Sequence, residues 1–126
     1  RMGISYLEVV NEIGFDILIP QKTPKNYKNS YYTFAALFNG EKYGFKWQEF
    51  RSKYLEFGGD GIYAAWQLVY DEPCFKNSKT GWGRAPVAEG LQKNMMQFTC
   101  NQANKEEIEE QMECLRKTLN YFKKLC

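Results

Sequence analysis

Apolar and polar positions alternate at helical spacing from the start of the chain. Tyr6, Val9, Val10 and Ile13 fall on one face, with Glu8, Asn11 and Glu12 between them. Ser5-Tyr6-Leu7-Glu8 reads as a capping box for this helix, the serine accepting from the N3 amide and the glutamate reaching back. Gly14 can stop it. Ile17-Leu18-Ile19-Pro20 is a short extended run closed by proline. Residues 21 to 29 are polar, with Lys22, Lys25 and Lys28 around Pro24, and predict a surface loop that is either simply solvated or steers phosphate. Residues 30 to 38 are β-rich, end at the turn signal Asn39-Gly40, and are apolar on both alternating faces, which predicts a central, covered strand.

Trp47, Phe50 and Tyr54 then recur among Gln48, Glu49, Arg51 and Lys53, predicting an amphipathic helix that ends at Gly58-Gly59. Phe57-Gly58-Gly59-Asp60-Gly61 opens the most distinctive stretch. Its glycines admit positive φ and close approach, and the small and aromatic residues from Ile62 to Tyr70 read as a strand that closes on Asp71-Glu72-Pro73. Such a segment usually presents something, while Asp60 itself reads as a turn residue. Residues 74 to 86 form a loop, and Pro86 starts a short helix through Met95, followed by an extended run from Met96 to Cys100. Asn104 caps the last helix with Glu107 at N3. Ile108, Met112, Leu115, Leu119 and Phe122 make one apolar stripe, with acidic residues early and Lys123 and Lys124 late, as the helix dipole favours. Helices and strands in this order predict an α+β fold: a small, mainly antiparallel sheet with helices packed on one side.

Length and composition narrow the chemistry. The 126 residues make a single domain, 1–126, and a net charge of +2 sets up no strong field toward nucleic acid or membrane. No apolar run approaches the length of a membrane span and no signal peptide opens the chain. There is no histidine, so acid–base work would fall to carboxylates, Lys, Tyr or Cys. Cys74, Cys100, Cys114 and Cys126 lack metal-knuckle spacing and read as reduced thiols of a cytoplasmic protein, and no metal site is expected. Aromatics are 17% of the residues, which fits either an aromatic core or a large interface or pocket.

Three segments together resemble one family. Asn29-Ser30-Tyr31-Tyr32-Thr33-Phe34-Ala35 resembles the aromatic strand of DegT-type sugar aminotransferases, and Gly58 to Pro73 their glycine-led strand and turn. Pro86-Val87-Ala88-Glu89-Gly90-Leu91-Gln92 with Met95-Met96-Gln97-Phe98 resembles their penultimate helix and strand. The likeness covers nearly the whole chain and points to the perosamine-synthetase-like branch. It implies the C-terminal small domain of a fold-type I, pyridoxal phosphate (PLP)-dependent enzyme of polysaccharide biosynthesis. Such an enzyme moves an amino group, usually from glutamate, to a keto-sugar nucleotide, and is typically a homodimer.

The sequence contexts of the family's Schiff-base lysine and of its other cofactor contacts do not occur here. The resemblance therefore implies a chain that lacks the large PLP-binding domain, holds no PLP and no catalytic residue of its own, and is inactive alone. A start at Arg1 fits a fragment of a longer enzyme. By the same resemblance Tyr32 and Gln67 are substrate-facing, each on a predicted strand, near one another and partly exposed, although Gln67 stands where relatives often carry histidine and cannot shuttle protons near neutral pH. Arg84, in a Gly-rich loop, is either a solvated arginine or a bidentate phosphate ligand. Tyr31, Phe34 and Trp66 read as packing residues. The competing reading is a stand-alone carbohydrate- or nucleic-acid-binding module with an aromatic surface, the near-zero charge weighing against nucleic acid.

Overall fold

The computed structural model describes residues 1–64, 67–75 and 85–126. Among these, α1 (Met2–Ile13), α2 (Trp47–Glu56), α3 (Pro86–Gln92) and α4 (Lys105–Leu125) accompany four strands, β1 (Leu18–Pro20), β2 (Thr33–Phe38), β3 (Ile62–Ala64) and β4 (Met95–Thr99). The strands form one antiparallel sheet in the order β1-β2-β4-β3. This is the α+β fold that the sequence pattern predicts.

The inner face of the sheet carries Leu18, Phe34, Ala36, Phe38, Ile62, Met96 and Phe98, all buried, and α1, α2 and α4 close over it. Aromatic rings join the layers. Tyr6 of α1 lies 5.5 Å from Phe34 and 5.4 Å from Phe98, centroid to centroid, and Tyr54 of α2 lies 5.6 Å from Phe98. Phe50 of α2 stacks on Phe122 of α4 at 5.4 Å. These spacings are those of favourable ring pairs. Much of the aromatic content is thus core, while Tyr27 and Tyr32 stand in solvent at 76% and 93% exposure.

The sheet edges are protected. Pro20 removes an amide from the outer strand β1, and at the other edge the Arg51 guanidinium donates to the Ile62 carbonyl at 3.1 Å.

Several local expectations are corrected. α1 begins at Met2, so Ser5 lies inside the helix and its hydroxyl donates back to the Arg1 carbonyl at 3.4 Å. Burial of Met2 and Gly3 draws the helix past the expected cap. Asn39-Gly40 opens a 3₁₀ turn, Gly40–Tyr43, and not a tight hairpin. β2 starts at Thr33, because Tyr31 has positive φ. α3 ends at Gln92 and β4 starts at Met95: pairing of Met95 with Leu37, extended by the Phe38 amide donating to the Asn94 carbonyl at 2.7 Å, overrides local helical preference. Of the long strand expected after Gly61, Ile62–Ala64 pair as β3, residues 65 and 66 lie outside the described residues, and Val69–Asp71 form a 3₁₀ turn. Finally, α3 is not on the side of the other helices. Its Ala88 and Leu91 line a hollow with Met95 and Gln97 of the outer sheet face.

Candidate functional site

The glycine segment proves to be a docking point within the fold. α2 ends in a Schellman motif, with the Gly59 amide donating to the Tyr54 carbonyl at 2.9 Å and the Gly58 amide to the Leu55 carbonyl at 3.0 Å. Gly58 supplies the positive φ, 91°. A Cβ on Gly59 would meet the Tyr54 ring at 2.3 Å, so only glycine lets the backbone cross that ring. The chain is then pinned to α4. Gln111 Oε1 accepts from both the Tyr54 hydroxyl, 2.7 Å, and the Asp60 amide, 2.8 Å. The Cys114 thiol donates to the Phe57 carbonyl at 2.9 Å.

With its proton committed to Gln111, Tyr54 accepts from Tyr6 at 3.1 Å. Burial holds both phenols well above the ordinary tyrosine range. They are structural donors and poor proton shuttles. Asp60 lies just past the Phe57-Gly58 turn, and its carboxylate does not bond the neighbouring amides as expected: Oδ2 accepts from Gln102 Nε2 at 2.7 Å and from the Thr99 hydroxyl at 3.4 Å.

The surface is presented elsewhere. Asn29 Oδ1 accepts from the Tyr31 amide at 2.9 Å, and Tyr31 is held at φ 49°. Its ring packs where Gly3 has no side chain: a Cβ there would stand 2.3 Å from the ring. This turns the next residue outward. Tyr32 does not share the inner face of Phe34; it stands 93% exposed, just before the Thr33–Thr99 pair. A bulky residue at positive φ is strained and persists only where surrounding contacts enforce it.

Gln67 is exposed and lines the hollow under α3, about 240 Å³, with Leu68, Ala88, Leu91, Met95 and Gln97. Beside it lies a second cleft of about 480 Å³ between Ile19, Pro20, Leu37, Leu91 and Met95, with Gln21 and Lys22 at its lip. Strand geometry separates Tyr32 from Gln67. Tyr32 adjoins the Thr99 end of β4 and Gln67 the Met95 end, and four residues of strand span about 13 Å. The two do not share one small subsite, contrary to the sequence expectation. Phe34 is core, as expected, and Tyr31 is half-buried against it. Trp66 and Arg84 lie outside the described residues.

No described lysine suits a Schiff base, which needs a desolvated amine of lowered pKa. All are exposed except Lys53, which is half-buried, and Lys42 and Lys53 are pushed up by hydrogen bonds to Asp16 and Glu56. The described residues therefore do not fit PLP. Among them no group of three or more Cys, Asp or Glu could hold a metal, and no helix is long and apolar enough to cross a membrane. The four cysteines are free, with Cys74 and Cys126 exposed.

Sequence reasoning missed Gln111 and the outward turn of Tyr32. For Gln111 a signal existed, since it falls three residues after Ile108 and four before Leu115, a polar side chain within the apolar stripe. No protein-family model matches the chain, and no curated protein matches it.

Proposed function

We propose that this chain is the C-terminal, substrate-cleft domain of a DegT-type, PLP-dependent aminotransferase. The intact enzyme transfers an amino group, from glutamate, to a keto-sugar nucleotide in the cytoplasm, and works as a homodimer. The observation that carries the reading is Tyr32, an aromatic residue turned almost wholly into solvent by a strained neighbour that is itself locked against α1. A domain sufficient in itself gains nothing from that arrangement; a domain that forms one wall of a cleft does. The quoted resemblance of three ordered segments supplies the family.

In this reading Tyr32 offers a phenol that can donate to or accept from a sugar hydroxyl. Gln67, beyond the opposite end of β4, serves a separate contact beneath α3. The described lysines do not suit the cofactor, so no step of amino transfer is assigned to this chain, and it is inactive alone.

Tyr32→Phe in the intact enzyme tests the reading. Loss of one hydrogen bond lowers kcat/KM by the equivalent of about 0.5–1.5 kcal/mol, with the absorbance of bound PLP unchanged. Wild-type kinetics would remove Tyr32 from the cleft. The competing reading, a stand-alone carbohydrate-binding module, draws on the same exposed rings of Tyr27 and Tyr32. It expects saturable oligosaccharide binding by this chain in the absence of any large domain.

A further inference from the structure

A third concavity lies beside α1. Ile4, Leu7 and Asn11 of α1 form one wall of a groove of about 670 Å³, and the segment from Ile19 to Tyr31 forms the other. Its size is that of a small-molecule site. Lys22 and Lys28 both line it, and no carboxylate does. Neither lysine takes part in an ion pair among the described residues, where other exposed cations such as Lys42 and Lys117 do. Tyr27 lines the same groove and is 76% exposed.

The lysine-bearing segment is shaped as well as charged. The Tyr27 amide donates to the Pro24 carbonyl at 3.1 Å, and Asn26 and Tyr31, at φ 74° and 49°, bracket residues 27 to 30 with left-handed backbone. Two unpaired ammonium groups facing one hollow are matched by an anion with charge at two points. A tyrosine ring beside them is matched by a flat ring system.

We infer that the groove between α1 and residues 19–31 binds a nucleoside diphosphate, with Lys22 and Lys28 on the diphosphate and the Tyr27 ring against the base. The inference deepens the proposed function by giving the nucleotide end of its substrate a place on this chain. It rests on that reading for the choice of a nucleoside diphosphate among ring-bearing anions. Tyr31 links the two sites, since it lines the groove and its backbone turns Tyr32 outward.

The test is a titration of the ¹⁵N-labelled 126-residue chain with UDP, with GDP and with inorganic pyrophosphate, followed by amide chemical shifts. Saturable shifts clustered in residues 4–11 and 19–31 are expected, tighter for a nucleoside diphosphate than for pyrophosphate and weakening as salt rises. Lys22→Glu with Lys28→Glu removes two charge-assisted contacts and weakens binding roughly tenfold or more. Tyr27→Ala brings the nucleoside diphosphate down to the level of pyrophosphate. These positions are exposed, and an unchanged dispersed spectrum of the free variants shows that the fold survives.

Absence of saturable shifts at millimolar nucleotide, shifts centred elsewhere, or undiminished binding by the double charge reversal would overturn the inference. Failure here is separable from failure of the aminotransferase reading. Binding in a chain whose gene encodes no large domain ends that reading and leaves the groove. A gene with the large domain and a groove that binds nothing does the reverse.

Discussion

Gly3 has no side chain because the Tyr31 ring occupies its place, 2.3 Å from where a Cβ would stand. Gly3→Ala is therefore predicted to displace Tyr31 and to cost about 1–3 kcal/mol as an overpacking change, read from the urea midpoint. Gln111 is the other residue on which much depends. Gln111→Ala leaves the Tyr54 hydroxyl and the Asp60 amide without their acceptor. It should destabilise the fold by about 1–3 kcal/mol. The tyrosines it serves also set an alkaline limit. Burial raises the Tyr6 and Tyr54 pKa values in the folded state, so the folded chain keeps protons that the unfolded chain releases. Their contribution is complete below the unfolded tyrosine pKa of about 10 and is lost as pH climbs above it. Denaturant titrations across that range should show stability falling with pH, and Tyr54→Phe should flatten the slope. At this scale burial types were legible, as with Phe34 and the α4 stripe. The orientation of Tyr32 was not, because a positive φ at a tyrosine arises from the contact with Gly3 across the fold, not from the local sequence.

Element ends follow the same division. Asn104 was legible as a cap because its partners are local: its Oδ1 accepts from the Glu107 amide at 2.9 Å, and Glu107 Oε2 accepts from the Ala103 amide at 2.8 Å. Asn104→Ala should lower stability by about 0.5–2 kcal/mol, visible as a lower Tm. The end of α2 was legible for the same reason, since Gly58 and Gly59 write the Schellman turn into the sequence. Ser5 and the Gln92–Met95 boundary were not. In the first case burial of Met2 lengthens the helix, and in the second β4 takes Met95 into its ladder with β2. Both are tertiary effects that local signals do not carry.

For the molecule as a whole, the order of helices and strands and the antiparallel sheet could be read from periodicity, because each amphipathic face needs a single core to cover it. The side taken by α3 could not, since its short sequence carries no decisive stripe and its position follows from the join to β4. The outcome is a sheet with one sealed face and one face of clefts beside Ile19, Leu37 and Met95. The proposed function requires a larger domain to cover apolar surface of this kind, so on that proposal the chain alone should self-associate as concentration rises, measured by sedimentation; a strict monomer at high concentration counts against a missing partner.

The proposed function requires a large domain encoded with this one, and the most direct measurement is the reading frame upstream of the codon for Arg1. The expected result is a continuous frame encoding a fold-type I domain with the cofactor lysine that the described residues do not provide. An in-frame stop codon directly upstream would contradict it.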